Sequence, residues 1–143
     1  DKVVLVHGVR WRSELAYADF LEQELSKNEY FGAQVRDQLV YYPTVTREQF
    51  RNTGRVTDLL TSGKLFHDLG IDKPTPESDR FMICGGPSML KELCNILDER
   101  GFHEARHGEQ IDVETVMLSN RMPSLATRSK FGVLIAFEPS TLA

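Results

Sequence analysis

Residues 81–90, Phe-Met-Ile-Cys-Gly-Gly-Pro-Ser-Met-Leu, decide the fold of this chain. They begin as an uncharged apolar run, which is typical of a strand covered on both faces of a parallel sheet. Two glycines follow, and Pro87 opens a helical pattern at a position where its missing amide hydrogen costs nothing. Ligands of open α/β sheets bind outside the carboxyl ends of the strands, so the turn Cys84-Gly85-Gly86 predicts a ligand site.

Strand and helix patterns alternate along the rest of the chain. The predicted strands cover residues 3–6, 38–42 and 81–84, and the predicted helices cover 13–26, 57–60, 64–69 and 87–100. Residues 28–32 are expected to form a loop, and Pro43 is expected to stop the second strand. This alternation predicts an α/β fold, a doubly wound parallel sheet with right-handed crossovers.

The composition narrows the class of protein. The chain has 143 residues, 41% of them hydrophobic and 27% charged, which is typical of one globular domain. The net charge of −4 argues against a broad nucleic-acid surface, and no apolar run reaches the length of a membrane span. The spacing of Cys84 and Cys94 fits no zinc motif, so we expect no metal site and reduced thiols in a cytoplasmic protein.

Six motifs occur in a characteristic order. They are His7-Gly8-Val9-Arg10-Trp11, Ser13-Glu14-Leu15-Ala16-Tyr17, Tyr42-Pro43-Thr44-Val45-Thr46-Arg47-Glu48, Gly54-Arg55-Val56-Thr57-Asp58, Ser62-Gly63-Lys64-Leu65-Phe66 and Cys84-Gly85-Gly86-Pro87-Ser88-Met89. Together they resemble the NADP-binding C-terminal domain of bacterial ferredoxin–NADP reductases, also called flavodoxin–NADP reductases. The resemblance runs from about residue 1 to about residue 109.

The resemblance implies a flavoprotein oxidoreductase that binds NADP(H) and FAD. Such an enzyme passes electrons between NADPH and ferredoxin or flavodoxin, by hydride transfer to the flavin and then in single-electron steps. A second hypothesis is a nucleotide-binding module without catalysis. A third, a phosphorylated signalling receiver, is disfavoured because His7, Pro43 and Gly85 stand where that class needs an aspartate at a strand end.

The arginines after the second strand are candidates for phosphate binding. Arg47 and Arg55 flank a turn, with Thr46 beside them and Arg51 between them. A planar guanidinium makes paired hydrogen bonds to a phosphate, which suits the 2′-phosphate that distinguishes NADP from NAD. Members of the resembling family use these arginine positions for that phosphate. The alternative is a solvated charged loop, and Arg51 is assigned to the surface in either case.

Arg10 and His7, which both follow the predicted first strand, indicate a function less specifically. For Arg10, which follows that strand, the resemblance implies contact with the nucleotide phosphates. The alternative is an arginine that packs its stem over Trp11. His7 is expected to be a hydrogen-bonded residue at the rim of the core and not an acid–base catalyst.

The resemblance places the Cys84-Gly85 pair beside the nicotinamide ring, near the flavin N5 atom. Hydride transfer needs close, oriented contact between nicotinamide C4 and flavin N5, and no proton-transfer residue at the donating carbon. Cys84, Gly85 and Gly86 would therefore act by shape, leaving room for a flat ring. No histidine partner supports Cys84 as a nucleophile. The alternative is that Cys84 is a small buried hydrophobic residue.

Two departures from the family divide the chain into a module at residues 1–110 and an atypical segment at residues 111–143. We expect the family's flavin domain and the module's first strand with its glycine-rich turn to be missing from this sequence, so FAD would be bound mainly by a domain outside it. The sheet would then expose an unpaired strand edge. The final segment is interpreted as foreign or frame-shifted sequence, as a lineage-specific extension, or as a displaced family ending at residues 132–137.

Overall fold

The structure is a computed structural model that describes residues 2–104, 113–116 and 131–136. Its strands are β1 (Lys2–Val9), β2 (Leu39–Val45), β3 (Asp79–Cys84), β4 (Val113–Val116) and β5 (Phe131–Ala136). Its α-helices are α1 (Gly32–Gln38), α2 (Val56–Ser62), α3 (Lys64–Leu69) and α4 (Pro87–Asp98). Short helical turns of 3-10 or π type cover Arg12–Glu14, Phe20–Glu24 and Leu25–Lys27.

The five strands form one parallel sheet in the order β2-β1-β5-β3-β4. In this order β2 lies on one side of β1. The next two connections, from β2 to β3 and from β3 to β4, run across the sheet in the opposite direction. Right-handed crossovers then place residues 12–38 on one face and α2, α3 and α4 on the other. The predicted fold class, an α/β protein with a doubly wound parallel sheet, is confirmed.

The main core lies between the sheet and helices α2, α3 and α4. Val6 on β1 and Ile83 on β3 both pair in register with Ile135 of β5, so Val6 and Ile83 lie in one row and on one face of the sheet. This face meets buried helix residues, of which Leu60 and Leu97 are fully excluded from solvent. Because the buried residues of this face hold the strands in place, they also hold the carboxyl ends of the strands, where the predicted site lies.

The expected unpaired strand edge does not fall at β1, which has a strand on each side; among the described strands, β2 and β4 each have one neighbour. β5 pairs in parallel with β1 from Lys2 to His7 and with β3 from Asp79 to Ile83. Both β4 and β5 come from the segment 111–143, and both join the same sheet. The division of the chain at residue 110 and the origin of the final segment stay predictions, and Phe137 lies outside the described residues.

The helix predicted over residues 13–26 is not continuous: residues 12–14 and 18–27 are helical, and residues 15–17 are not. A single 3-10 turn ends at Glu14, and Tyr17 adopts a left-handed backbone with φ of 61°. The Glu14 carboxylate accepts the amide hydrogens of Arg10 and Trp11, at 2.9 and 3.1 Å, which caps the start of this turn. Leu21 and Leu25 are half-buried in the short turns that follow, so the apolar spacing was recognised but the break in the helix was not.

Two details around β2 also differ from the predictions. Helix α1 lies mostly in residues 33–37, for which the sequence predicted no element, because its single half-buried apolar residue, Val35, gives no helical periodicity. Pro43 does not stop β2, which continues to Val45. Among the described strands β2 has one neighbour, and an edge strand tolerates a missing amide hydrogen on its open side. The Asn52 side chain donates to the Pro43 carbonyl oxygen at 2.9 Å.

A charged hydrogen-bond cluster joins β2 to α3. The Tyr42 hydroxyl donates to Asp68 Oδ2 at 2.7 Å, and the Lys64 ammonium lies 2.7 and 2.8 Å from the two carboxylate oxygens. These bonds, that of Lys64 first, hold the pKa of Asp68 below its usual value of 3.8. Burial and then the Asp68 carboxylate raise the pKa of Tyr42, so the hydroxyl stays protonated as the donor.

Asp68→Asn is expected to lower the free energy of unfolding at pH 7 and to matter less in acid. A carboxyl whose pKa is lower in the folded state stabilises the fold above its unfolded pKa. That contribution is lost as the pH falls through the folded pKa. Urea denaturation of both proteins at pH 7 and at pH 3 measures the difference. A difference between the proteins that stays constant between these pH values would contradict this assignment.

Candidate functional site

The predicted site residues lie at the carboxyl edge of the sheet. Arg10 directly follows β1, Thr46 follows β2, and Cys84 ends β3. Since Val6 and Ile83 are level across β5, His7 and Cys84 are also level, about 10 Å apart over two interstrand spacings. The connections after β1 and β3 leave in opposite directions, which defines the switch point where ligands of such sheets bind.

A closed loop presents Arg47 and Arg55. The Val45 amide donates to the Asn52 carbonyl oxygen at 3.1 Å, and the Gly54 amide donates to the Val45 carbonyl oxygen at 3.2 Å. Both ends of residues 46–53 therefore return to Val45 at the end of β2. Arg47 lies near the start of this loop, and Arg55 follows shortly after its end. Both of the arginines that the sequence predicted as a pair thus lie close in sequence to the point where this loop closes on Val45.

Backbone hydrogen bonds join this loop to the segment after β1. The Thr46 amide donates to the Val9 carbonyl oxygen at 3.1 Å, and the Arg47 amide donates to the Arg10 carbonyl oxygen at 2.9 Å. The Thr46 hydroxyl also donates to Val9, at 3.4 Å. Arg10, Thr46 and Arg47 are consequently neighbours along one continuous surface at the sheet edge.

The side chains of these arginines have different partners. Within the part of the chain that the structure describes, Arg47 makes no side-chain hydrogen bond or ion pair, and it is exposed. The Arg55 Nη2 lies 2.6 Å from Glu92 Oε2 of α4. The Arg10 Nη2 lies 2.8 Å from Glu14 Oε1. The hydrogen bond from the Arg10 side chain, and then that from the Trp11 amide, hold the pKa of Glu14 below its usual value.

The turn Cys84-Gly85-Gly86 after β3 combines an exposed glycine with a half-buried thiol. Cys84 is half-buried, and burial raises the pKa of its thiol, which disfavours the thiolate that a nucleophile needs. Gly86 is exposed and forms the N-cap of α4, with φ of −69°. A β-carbon built at Gly86 would meet no atom of the described residues within 4 Å, so they leave the surface above the turn open. Cys84 and Cys94 are free thiols.

His7 and Arg51 are engaged outside this surface. His7 is buried, with its Nδ1 atom 3.0 Å from the Tyr41 hydroxyl, and burial raises the pKa of Tyr41 to about 12. Arg51 pairs with Glu22 and lies over the Phe50 ring, 5.5 Å from its centre. These contacts support the expected structural role of His7 and the surface position of Arg51.

The sequence did not predict the carboxylates that pair with two of the arginines. Glu14 stands four residues after Arg10, a spacing that commonly forms ion pairs, so a local signal existed. Glu92 is separated from Arg55 by 37 residues, and no local pattern indicates that contact. Among residues 2–104, 113–116 and 131–136, no helix is long and apolar enough to cross a membrane, and no acidic, histidine or cysteine cluster suits a metal ion.

Relatives of this chain are found among curated proteins. It is 58% identical over 113 residues to the ferredoxin–NADP reductase of Pseudomonas aeruginosa, which covers 78% of this chain and 44% of the relative. It is 43% identical over 131 residues to ferredoxin–NADP reductase A of Sorangium cellulosum, covering 90% of this chain and 47% of that protein. The chain thus spans less than half the length of these relatives. No protein-family model matches it.

A solved structure has a similar fold. It is a crystal structure of a ferredoxin NADP+ reductase from Neisseria gonorrhoeae with bound FAD and NADP. The TM-score is 0.67 at 28% sequence identity, over 82% of this chain and 44% of that one. The resemblance predicted from the six motifs is confirmed by these comparisons.

Proposed function

We propose that this chain, a homologue of the bacterial ferredoxin–NADP reductases, is the NADP(H)-binding part of such an oxidoreductase. The complete enzyme would pass electrons between NADPH and ferredoxin or flavodoxin by hydride transfer to FAD. The observation that carries the proposal is the closed loop at the end of β2, with Arg47 near its start and Arg55 just after its end.

The donor set at this loop fits a phosphate. The Arg47 guanidinium is exposed and unpaired among the described residues, and Arg55 uses Nη2 alone in its contact with Glu92. Donors therefore remain on both side chains for a phosphomonoester, and charge-assisted hydrogen bonds of this kind are the strong ones. Arg47 and Arg55 would bind the 2′-phosphate, with Thr46 beside them. Arg10 would contact the remaining phosphates.

The opposite end of the site fits a flat ring. β2 and β3 are separated by three interstrand spacings, about 14 Å, so a ligand reaching from Arg47 to Cys84 must be extended. The open surface over Gly86 leaves space for the nicotinamide, which supplies the hydride when the dinucleotide is bound. Cys84, Gly85 and Gly86 would orient the ring by shape, and the protonated Cys84 thiol would form no covalent bond.

A direct binding measurement tests this proposal. Isothermal titration calorimetry of the 143-residue chain with 2′-phospho-AMP and with AMP separates the phosphate contribution from the adenosine contribution. We expect 2′-phospho-AMP to bind about tenfold more tightly or better, since one charged hydrogen bond contributes about 1.5–3 kcal/mol. Equal affinities for the two nucleotides would refute a site for the 2′-phosphate.

A second candidate is a nucleotide-binding module without catalysis. Adding FAD to the chain distinguishes the two functions. Retained flavin and NADPH-driven dye reduction would support the oxidoreductase, whereas nucleotide binding without either would support the module.

A further inference from the structure

One carboxylate connects the two halves of the site. Glu92 accepts a hydrogen bond from Arg55 at 2.6 Å, and it belongs to α4, which begins directly after the Cys84-Gly85-Gly86 turn. Arg55 belongs to the loop after β2, on the other side of the switch point. The helix that follows the predicted nicotinamide end thus also contributes a charge to the predicted 2′-phosphate end.

The core fixes the backbone on both sides of this ion pair. Arg55 directly precedes α2, whose residues Val56, Leu59 and Leu60 are buried. Glu92 directly precedes Leu93, which is fully excluded from solvent. The Arg100 side chain of the segment after α4 also donates to the Leu60 carbonyl oxygen, at 2.8 Å. Because these elements are packed together, Arg55 and Glu92 stay within reach of each other.

The pair is nevertheless accessible to a ligand. The Arg55 side chain is 58% exposed and the Glu92 side chain is 39% exposed. A phosphomonoester carries a charge of about −1.5 to −2 near pH 7. Such a phosphate on Arg55 would lie close to the negative charge of Glu92. It would have to share Arg55 with the Glu92 carboxylate or displace that carboxylate.

We propose that Glu92 is a specificity-determining residue that competes with the 2′-phosphate for Arg55. Its carboxylate offsets the charge of one of the two predicted phosphate-binding arginines and thereby limits the preference for NADP(H) over NAD(H). This inference rests on the proposed function, because it needs the 2′-phosphate to bind at Arg55. Arg47, which has no such counter-ion among the described residues, would supply the uncompensated attraction.

The test is a change of charge without a change of shape. Glu92→Gln is expected to bind 2′-phospho-AMP roughly threefold to fivefold more tightly than wild type, the size of effect that an exposed ion pair supports. Its affinity for AMP should not change. Glu99→Gln makes the same change of net charge about 10 Å further along the same segment, and should alter neither affinity. Glu92→Ala is expected to act in the same direction as Glu92→Gln.

A double variant tests whether the effect passes through Arg55. In an Arg55→Ala background, Glu92→Gln should change 2′-phospho-AMP binding less than it does in wild type. An equal change in both backgrounds, or weaker binding by Glu92→Gln, would overturn the proposal. If wild type itself does not prefer 2′-phospho-AMP over AMP, the proposed function fails. If wild type does prefer it but Glu92→Gln binds no more tightly, the Glu92 inference alone fails.

Discussion

Replacing Arg47 and Arg55 together by alanine is expected to weaken NADPH binding by about 10²- to 10⁴-fold, from the loss of two charged hydrogen-bonding groups. NADH lacks the 2′-phosphate, so its binding should stay within about threefold of wild type by the same reasoning. The single variants should differ. Arg47→Ala should cost more than Arg55→Ala, because Arg55 already shares its charge with Glu92.

Arg51→Ala is the matched control for this experiment. Arg51 lies in the same loop and carries the same charge, but its guanidinium pairs with Glu22 and stacks over Phe50. Calorimetric titration of each variant with NADPH and NADH gives the selectivity directly. Equal losses for both nucleotides would contradict the assignment, and so would a loss of NADPH binding by Arg51→Ala as large as that of the double variant.

The sequence predicted those parts of the fold that have local signals. The third strand and the start of α4 follow from the apolar run, the glycines and Pro87, and α3 matches its predicted bounds. Gly63 and Gly70, which border α3, both adopt left-handed backbones that L-residues disfavour. In these places the residue that ends an element lies within a few positions of the element itself.

Non-local features were not predictable in this way. The position of β5 between β1 and β3 depends on pairing between residues more than 45 positions apart. The tolerance of Pro43 follows from the edge position of β2, which depends on the order of the whole sheet. The same limit applies to the site: the arginine pair was visible as a pattern, whereas Glu92 comes close to Arg55 only through the packing of α4 against α2.

Phe102→Ala is expected to lower the free energy of unfolding by about 3–5 kcal/mol, because it removes a large side chain from the core. Phe102 follows α4 and is 1% exposed. Its ring meets Phe81 of β3 edge to face, with ring centres 4.9 Å apart and planes at 85°. Its amide donates to the Leu97 carbonyl oxygen at 3.0 Å, which directs the ring under the helix.

The cost has two physical sources. Removing the ring leaves a cavity beside Phe81 that the surrounding strands and helix fill only in part, and it removes an aromatic contact worth about 0.5–1.5 kcal/mol beyond area burial. Phe31→Ala is the matched control, because Phe31 is 41% exposed and the same substitution there should change stability by less than about 0.5 kcal/mol.

Urea denaturation of the two variants measures the difference. Similar losses for Phe102→Ala and Phe31→Ala would show that the ring behind α4 does not stabilise this core. The substitution also separates stability from recognition, since Phe102 lies at the end of α4 opposite to the Cys84-Gly85-Gly86 turn. The fraction of Phe102→Ala that remains folded should therefore keep the preference for 2′-phospho-AMP over AMP. A loss of that preference would mean that the arginine loop depends on the far end of α4 for its geometry.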